Sequence, residues 1–182
     1  MMITDNSEII KALKDCEAVQ FGDFTLSSGQ KSNFYIDIKK ASTDPKTLKI
    51  VAAHVGGLIS EMMRTTNEII IGGVELGGVP IATAVSLETE FPLLIIRKEQ
   101  KEYGTKSRYV GKMDTEKEII LMEDVTTSGG SVKKAIIALK EDGAKISKVV
   151  TIVDRESGAS ASLKELGVEL IPLVRASELV EK

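Results

Sequence analysis

Five short apolar runs limit what this chain can become: EIIIG from Glu68, FPLLIIR from Phe91, EIILMED from Glu118, SKVVTIVD from Ser147 and VELIPLV from Val168. None alternates apolar with polar residues, so a strand built from any of them has no face to give to water. Between them lie stretches with helical spacing, over Val79 to Glu88, Ser131 to Glu141 and Gly158 to Leu166. Fully apolar strands separated by helices require a parallel sheet covered on both sides. The expectation is an α/β fold with a central parallel sheet flanked by helices.

The first forty residues break this alternation. Ser7 to Cys16 reads as a helix, and Ala18 to Leu26 and Asn33 to Ile38 read as aromatic-bearing extended segments joined by a turn over Ser27 to Gln30. Asp44-Pro45 then opens a helix running to about Met63, with an N-cap residue followed by proline at the first helical position. Residues 1 to about 40 are expected to form a small hood on the core of one domain spanning residues 1–182. A length of 182 residues with 42% apolar content is enough for one core.

Composition removes several function classes. The single cysteine, Cys16, and single histidine, His54, allow neither an intrachain disulfide nor a zinc or iron–sulfur cluster. Both fall in helical patterns, Cys16 reading as a semi-buried helix residue and His54 as packed or surface-exposed and not catalytic. A net charge of −3 argues against a protein that coats nucleic acid. No basic leader and no apolar run of membrane-spanning length is present, so a soluble cytoplasmic protein is expected, with neither nucleic-acid nor membrane partners.

The run at Ile119 continues unusually, as IILMEDVTTSGGS. In open α/β sheets ligands bind outside the carboxyl ends of the strands, and Glu123 and Asp124 stand at such an end. Adjacent carboxylates there require hydroxyl donors, a cation or both, which a ribose and a magnesium ion supply. Thr126-Thr127-Ser128-Gly129-Gly130 then leads into the helix near Ser131, combining free backbone N–H groups, hydroxyls and a helix N-terminus in an anion cradle suited to phosphate. A helix cap alone needs one hydroxyl and leaves the acidic pair unexplained. Neither GxxxxGK[ST] nor a strand-linked GxGxxG occurs, so the pattern describes a binder of a ribose 5-phosphate and not a nucleoside triphosphatase.

IILMEDVTTSGGS resembles the phosphoribosyl pyrophosphate (PRPP) signature of the type I phosphoribosyltransferases. FTLSSGQKSNFYIDIKKA, GGVELGGVPIAT, RKEQKEYG and IVDRESG, in that order, narrow the resemblance to the orotate phosphoribosyltransferase family. The resemblance implies that Glu123 and Asp124 hold the ribose hydroxyls, with Asp124 a candidate contact for magnesium otherwise held through substrate. Val125, Thr126, Thr127, Ser128, Gly129, Gly130 and Ser131 would surround the 5′-phosphate. It also implies that Thr127 touches the edge of orotate, that Arg155 pairs with the base or its carboxylate, and that Phe34 and Tyr35 form a wall against the pyrimidine. A planar guanidinium suits a carboxylate. The plainer reading of Arg155 is an ion pair with Asp154 or Glu156.

Glu75, Leu76, Gly77 and Gly78 match the family's pyrophosphate loop. Some relatives carry a lysine near Gly77; here the loop is expected to act through its backbone, with Lys98 or magnesium supplying charge. The plainer reading is a tight turn.

Arg97 to Lys112 shows no apolar period and holds six cations (Arg97, Lys98, Lys101, Lys106, Arg108, Lys112) against two carboxylates (Glu99, Glu102). It is expected to be a mobile cationic loop that closes over pyrophosphate, or else a solvated charge run. The resemblance implies that Arg97, Lys98 and Lys101 act there, that Lys98, Lys101 and Asp124 are catalytic, and that the loop covers the partner's site in a homodimer. The chain departs from the family at Tyr103, where many relatives have histidine, and at Ser27, where many have lysine; Tyr103 can still bond a phosphate oxygen, and Lys31 is near enough in sequence to supply charge. The activity implied is transfer of the phosphoribosyl group of PRPP to orotate with magnesium. A purine-base phosphoribosyltransferase and a PRPP-sensing regulator are the alternatives.

Overall fold

Every apolar run becomes a strand of a single sheet. A computed structural model describes residues 6–25, 31–62, 68–98 and 107–180. In chain order its elements are α1 (Ser7–Asp15), β1 (Val19–Thr25), β2 (Lys31–Ile36), α2 (Ile38–Thr43), α3 (Pro45–Met62), β3 (Ile69–Val74), α4 (Gly78–Thr89), β4 (Leu93–Ile96), β5 (Tyr109–Val110), β6 (Glu118–Thr126), α5 (Gly130–Glu141), β7 (Lys145–Asp154), α6 (Ala159–Lys164), β8 (Glu169–Arg175) and α7 (Ala176–Val180). The six-stranded sheet has the order β5-β4-β3-β6-β7-β8. All its pairings are parallel except β4 with the edge strand β5.

The absence of polar alternation is explained by two apolar layers. Ile120 and Met122 of β6 enter a cluster containing residues of α1, α3 and α4, whereas Ile119 and Leu121 enter one built with α5 and α6. Ile69 and Ile71 of β3 likewise separate from Ile70. Successive strand side chains point to opposite faces, so a strand between two helical layers needs apolar residues at every position.

The hairpin β1–β2 forms a separate antiparallel ribbon, with the Phe24 and Tyr35 rings 5.6 Å apart. Val19 and Ile36 from it join Ile9 and Leu13 of α1 in the core cluster that also contains Leu173 and Leu179. Asp44 opens α3 as expected: its Oδ2 accepts from the Thr47 N–H at 2.8 Å and the Thr47 hydroxyl at 2.7 Å. Those bonds hold its carboxyl below the usual range. His54 bonds Ile50 O through Nδ1 at 2.9 Å, and the Cys16 thiol lies 3.5 Å from Leu13 O; both are packing residues of helices.

Three features depart from the sequence expectation. β6 continues through Thr126 because its pairing with β7 runs on to Thr126↔Asp154, so the acidic pair lies on the strand and not past its end. Tyr109 and Val110, inside the expected loop, pair with β4 and close part of its edge. The short helices α2 and α7 carry too few residues to show a period. Among the described residues no helix is long and apolar enough to cross a membrane.

Candidate active site

The pairing of β3 with β6 ends at Gly73↔Met122, while β6 remains paired with β7 for several more residues. From β3 the chain passes through α4 to β4 on one side; from β6 it passes through α5 to β7 on the other. The topology therefore reverses between β3 and β6, which is where an open α/β sheet has its crevice. Both helices leaving it, α4 and α5, lack a side-chain hydrogen bond at their N-caps, Gly77 and Gly129. The first N–H groups of a helix have no partner within it and carry its positive dipole end, so each start can receive an anion.

At α5 the cradle is complete. Glu123, Val125, Thr126, Thr127, Ser128, Gly129, Gly130, Ser131 and Val132 surround a cavity of about 240 Å³. Gly129 has φ +77°, a left-handed conformation that turns the strand into the helix without steric cost. The Thr126 hydroxyl is turned elsewhere: it donates to Asp154 Oδ1 at 3.0 Å.

The two acids occupy different environments. Glu123 is 7% exposed, and burial, followed by repulsion from Asp124, pushes its carboxyl up to about 8; Lys98 acts in the opposite direction. Asp124 is half-buried, and its Oδ1 accepts from the Val125 N–H at 2.8 Å. Its Oδ2 faces the other loop so closely that a methyl group at Gly77 would lie 2.1 Å away. A Cβ at Gly78 would lie 2.2 Å from the Met122 carbonyl oxygen. Glycine at these two positions lets the start of α4 lie directly on β6. The Glu75–Leu76 peptide in this loop is cis.

Phe34, Tyr35, Ile36, Thr127, Arg155, Ser157 and Ala176 line a second cavity of about 230 Å³. Thr127 is thus a common wall of this pocket and the phosphate cradle. The Arg155 Nη2 donates to Ile36 O at 2.9 Å, tying the hairpin to the end of β7. The carboxylates on either side of it engage other groups: Asp154 takes the Thr126 hydroxyl and the Glu156 N–H, and Glu156 takes the Ser177 N–H at 3.0 Å.

Arg97, Lys98, Arg108 and Lys134 line a third cavity, about 490 Å³, together with Val74, Gly130, Ser131 and Ala135. It shares the start of α5 with the phosphate cradle. Lys101, Tyr103 and Ser27 lie outside the described residues, as does half of the expected loop, residues 99–106. Lys31, considered above as a substitute for the family lysine, donates to the Thr25 hydroxyl at 2.8 Å within the hairpin.

A larger cavity of about 870 Å³ lies at the opposite edge of the sheet, lined by Glu68, Glu116, Glu118, Lys140 and Lys145. It is open, and several of its charges are engaged: Lys145 pairs with Glu116 at 3.3 Å, Glu68 with Lys117 at 3.6 Å, and Lys140 donates to the Leu166 carbonyl. Chemistry and topology both favour the carboxyl edge over this one.

Lys134, Ser157 and Ala176 were not singled out in the sequence, whereas Arg108 was named there only as one of the six cations of the expected loop. Lys134 carried a weak signal, one helical turn inside α5. Asp154 carried a stronger one, because VVTIVD ends an apolar strand in a carboxylate just as IILMED does.

Comparison with known proteins agrees with this topology. Residues 46–168 match the family model described as a phosphoribosyl transferase domain. An orotate phosphoribosyltransferase of Methanosarcina mazei is 61% identical over 174 residues, covering 96% of this chain and 91% of the relative. The orotate phosphoribosyltransferase of Mycobacterium tuberculosis H37Rv, solved with Fe(III) dicitrate, superposes with a TM-score of 0.81 at 26% identity, over 97% of this chain and 99% of that one. A structure of the same enzyme with 5-phospho-alpha-D-ribosyl 1-diphosphate gives 0.75 at 25% identity, over 96% and 98%. An identity of 61% across nearly the whole of both chains exceeds what a shared fold requires, and the crevice lies where the topology demands it. The chain belongs to the phosphoribosyl transferase domain family, among the orotate phosphoribosyltransferases.

Proposed function

We propose that this protein transfers the 5-phosphoribosyl group of PRPP to orotate, giving orotidine 5′-monophosphate and pyrophosphate. The observation that carries the reading is Thr127, which stands between a phosphate cradle and a pocket lined by aromatic side chains and an arginine. That arrangement suits a ribose phosphate beside a planar, anionic base. In the reaction the anomeric carbon exchanges its bond to a pyrophosphate oxygen for one to a ring nitrogen of orotate. Charge develops on the ribose and on the departing oxygens, so the protein contributes chiefly by orientation and preorganised electrostatics.

The roles are those that the family resemblance implies, and the arrangement of the crevice is compatible with them. The α5 N-terminus and the loop from Val125 to Ser131 receive the 5′-phosphate. Glu123 and Asp124 accept hydrogen bonds from the ribose hydroxyls, and Glu75 to Gly78 offers the pyrophosphate the N–H groups at the start of α4. Lys98 and Arg97 supply positive charge beside it, and Arg155 addresses the orotate carboxylate while Phe34 and Tyr35 close the base pocket.

Magnesium is the expected cofactor. Among the described residues no three His, Cys, Asp or Glu side chains come together as a cage. Asp124 and the substrate's own phosphates form the kind of donor set magnesium uses, one or two carboxylates with phosphate oxygens and water. Its chemistry there is neutralisation of pyrophosphate charge. The assay is direct: purified protein with magnesium, PRPP and orotate should deplete the orotate absorbance and release pyrophosphate. Turnover of hypoxanthine or adenine with none of orotate would overturn the assignment.

The functional unit is a homodimer in which the loop carrying Arg97, Lys98 and Lys101 completes the partner's site. Its charge and the family pattern support this. Leu76, just before α4, and Leu87, near its C-terminal end, are exposed apolar side chains.

A further inference from the structure

Beneath the wall shared by the two subsites lies a buried carboxylate that the proposed chemistry does not use. Asp154 is 7% exposed and Thr126 is 2% exposed. They face each other as the last described register pair of β6 with β7. Asp154 Oδ1 accepts from the Thr126 hydroxyl at 3.0 Å and from the Glu156 N–H at 3.2 Å. The Arg155 N–H donates to the Thr126 carbonyl at 2.8 Å. One carboxylate therefore binds both chain segments at the point where each turns toward ligand: Thr126 immediately precedes the cradle residue Thr127, and Asp154 immediately precedes the base-pocket residue Arg155.

We infer that Asp154 is a positioning residue, coupling the phosphate cradle to the base pocket by holding Thr126 and the turn at 154–157 in one register. The inference rests on the proposed function for the identity of the two substrates, but the tie itself is a matter of geometry. A carboxylate buried at this depth is costly unless its oxygens receive donors, and hydrogen bonds to an ionised acceptor are about twice as strong as neutral ones. The Thr126 hydroxyl donates its one hydrogen to Asp154 Oδ1 and has no second to offer the cradle. Thr126 thus serves the cradle through its fixed backbone, and Asp154 lines neither the cradle nor the base pocket. Loss of the tie leaves the main-chain bond from the Arg155 N–H to the Thr126 carbonyl but loosens both turns beyond it, and both substrates suffer together.

The test compares Asp154→Ala, Asp154→Asn, Thr126→Val and the Thr126→Val/Asp154→Ala double variant with the wild type. Asp154→Ala and Thr126→Val should each raise the KM values for PRPP and orotate together by about tenfold, the effect of losing one charge-assisted bond. The double variant should be no worse than the poorer single one, because both changes delete the same bond. Asp154→Asn keeps an acceptor oxygen and should restore most of the loss. Amide hydrogen exchange in ligand-free protein provides a readout independent of turnover and should quicken at 126–130 and 154–157 together in Thr126→Val, which preserves side-chain shape. If wild-type protein fails to consume orotate, the proposed function falls, and exchange still decides the tie. Exchange unchanged in both segments, or a lowered melting temperature with both KM values unmoved, overturns the inference.

Discussion

Burial and the neighbouring Asp124 push Glu123 up to about 8 from an ordinary value of 4.5, and this displacement links stability to pH. Between those values the folded ligand-free chain holds a proton on Glu123 that the unfolded chain has released, so the contribution of this group to stability is fully present below about 4.5 and is lost as pH rises toward about 8. Glu123→Gln cannot ionise and should lose this slope; thermal melts of both proteins across that range check it, and parallel slopes would remove the assignment. Arg155 tests the base site. Arg155→Ala should raise the KM for orotate about tenfold to a hundredfold, matching loss of a charge-assisted hydrogen bond worth roughly 1.5 to 3 kcal/mol. The KM for PRPP should change far less. An equal loss for both substrates would mean that the bond to Ile36 O, and not contact with orotate, is the main role of this side chain.

Among the elements, the closest approach in the crevice is that of α4 to β6. The lysine that some relatives carry near Gly77 has no counterpart here, and a Cβ at Gly77 itself would meet the Asp124 carboxylate. Gly77→Ala should displace that carboxylate and lower kcat/KM for PRPP by about a hundredfold, the scale of effect expected for a misplacement near 1 Å. The melting temperature should change little, since a half-buried aspartate can rotate aside; activity within twofold of wild type would show that Asp124 does not need its observed position. The same region shows why element ends were harder to read than elements. The apolar pattern stops at Met122, whereas the strand continues to Thr126 because its backbone still pairs with β7. Main-chain hydrogen bonds leave no mark in side-chain periodicity. β5 was hidden for a related reason, since two residues cannot display a period.

At the scale of the whole molecule the question is which subunit each cationic loop serves. Lys98 lies near enough to Glu123 of its own chain to lower its proton affinity, so a loop acting within one subunit is a real competitor to the shared-site dimer. Lys101→Ala and Asp124→Asn should each be nearly inactive alone. In a randomly exchanged one-to-one mixture, half the dimers are mixed and each has one intact site of two, so activity should return to about a quarter of wild type. No recovery after independently verified exchange would assign the loop to its own subunit, while leaving the roles of the crevice residues intact.

The sequence by itself determined the α/β class, the helix opened by Asp44-Pro45 and the strand-to-cradle segment from Ile119 to Ser131. Each depends on a local property: apolar residues at every strand position, a cap followed by proline, or carboxylates, hydroxyls and glycines placed consecutively. Only the tertiary structure decided that Phe34, Tyr35, Thr127 and Arg155 line one pocket, that Gly77 lies against Asp124, and that Thr126 gives its hydroxyl to Asp154. Those relations join residues far apart in the chain, as in Thr126 with Asp154, 28 positions apart, while Arg155 reaches back 119 positions to bond Ile36. Composition and period describe what a segment must bury or expose, but the partner it meets depends on strand order and on how closely each helix lies against the sheet.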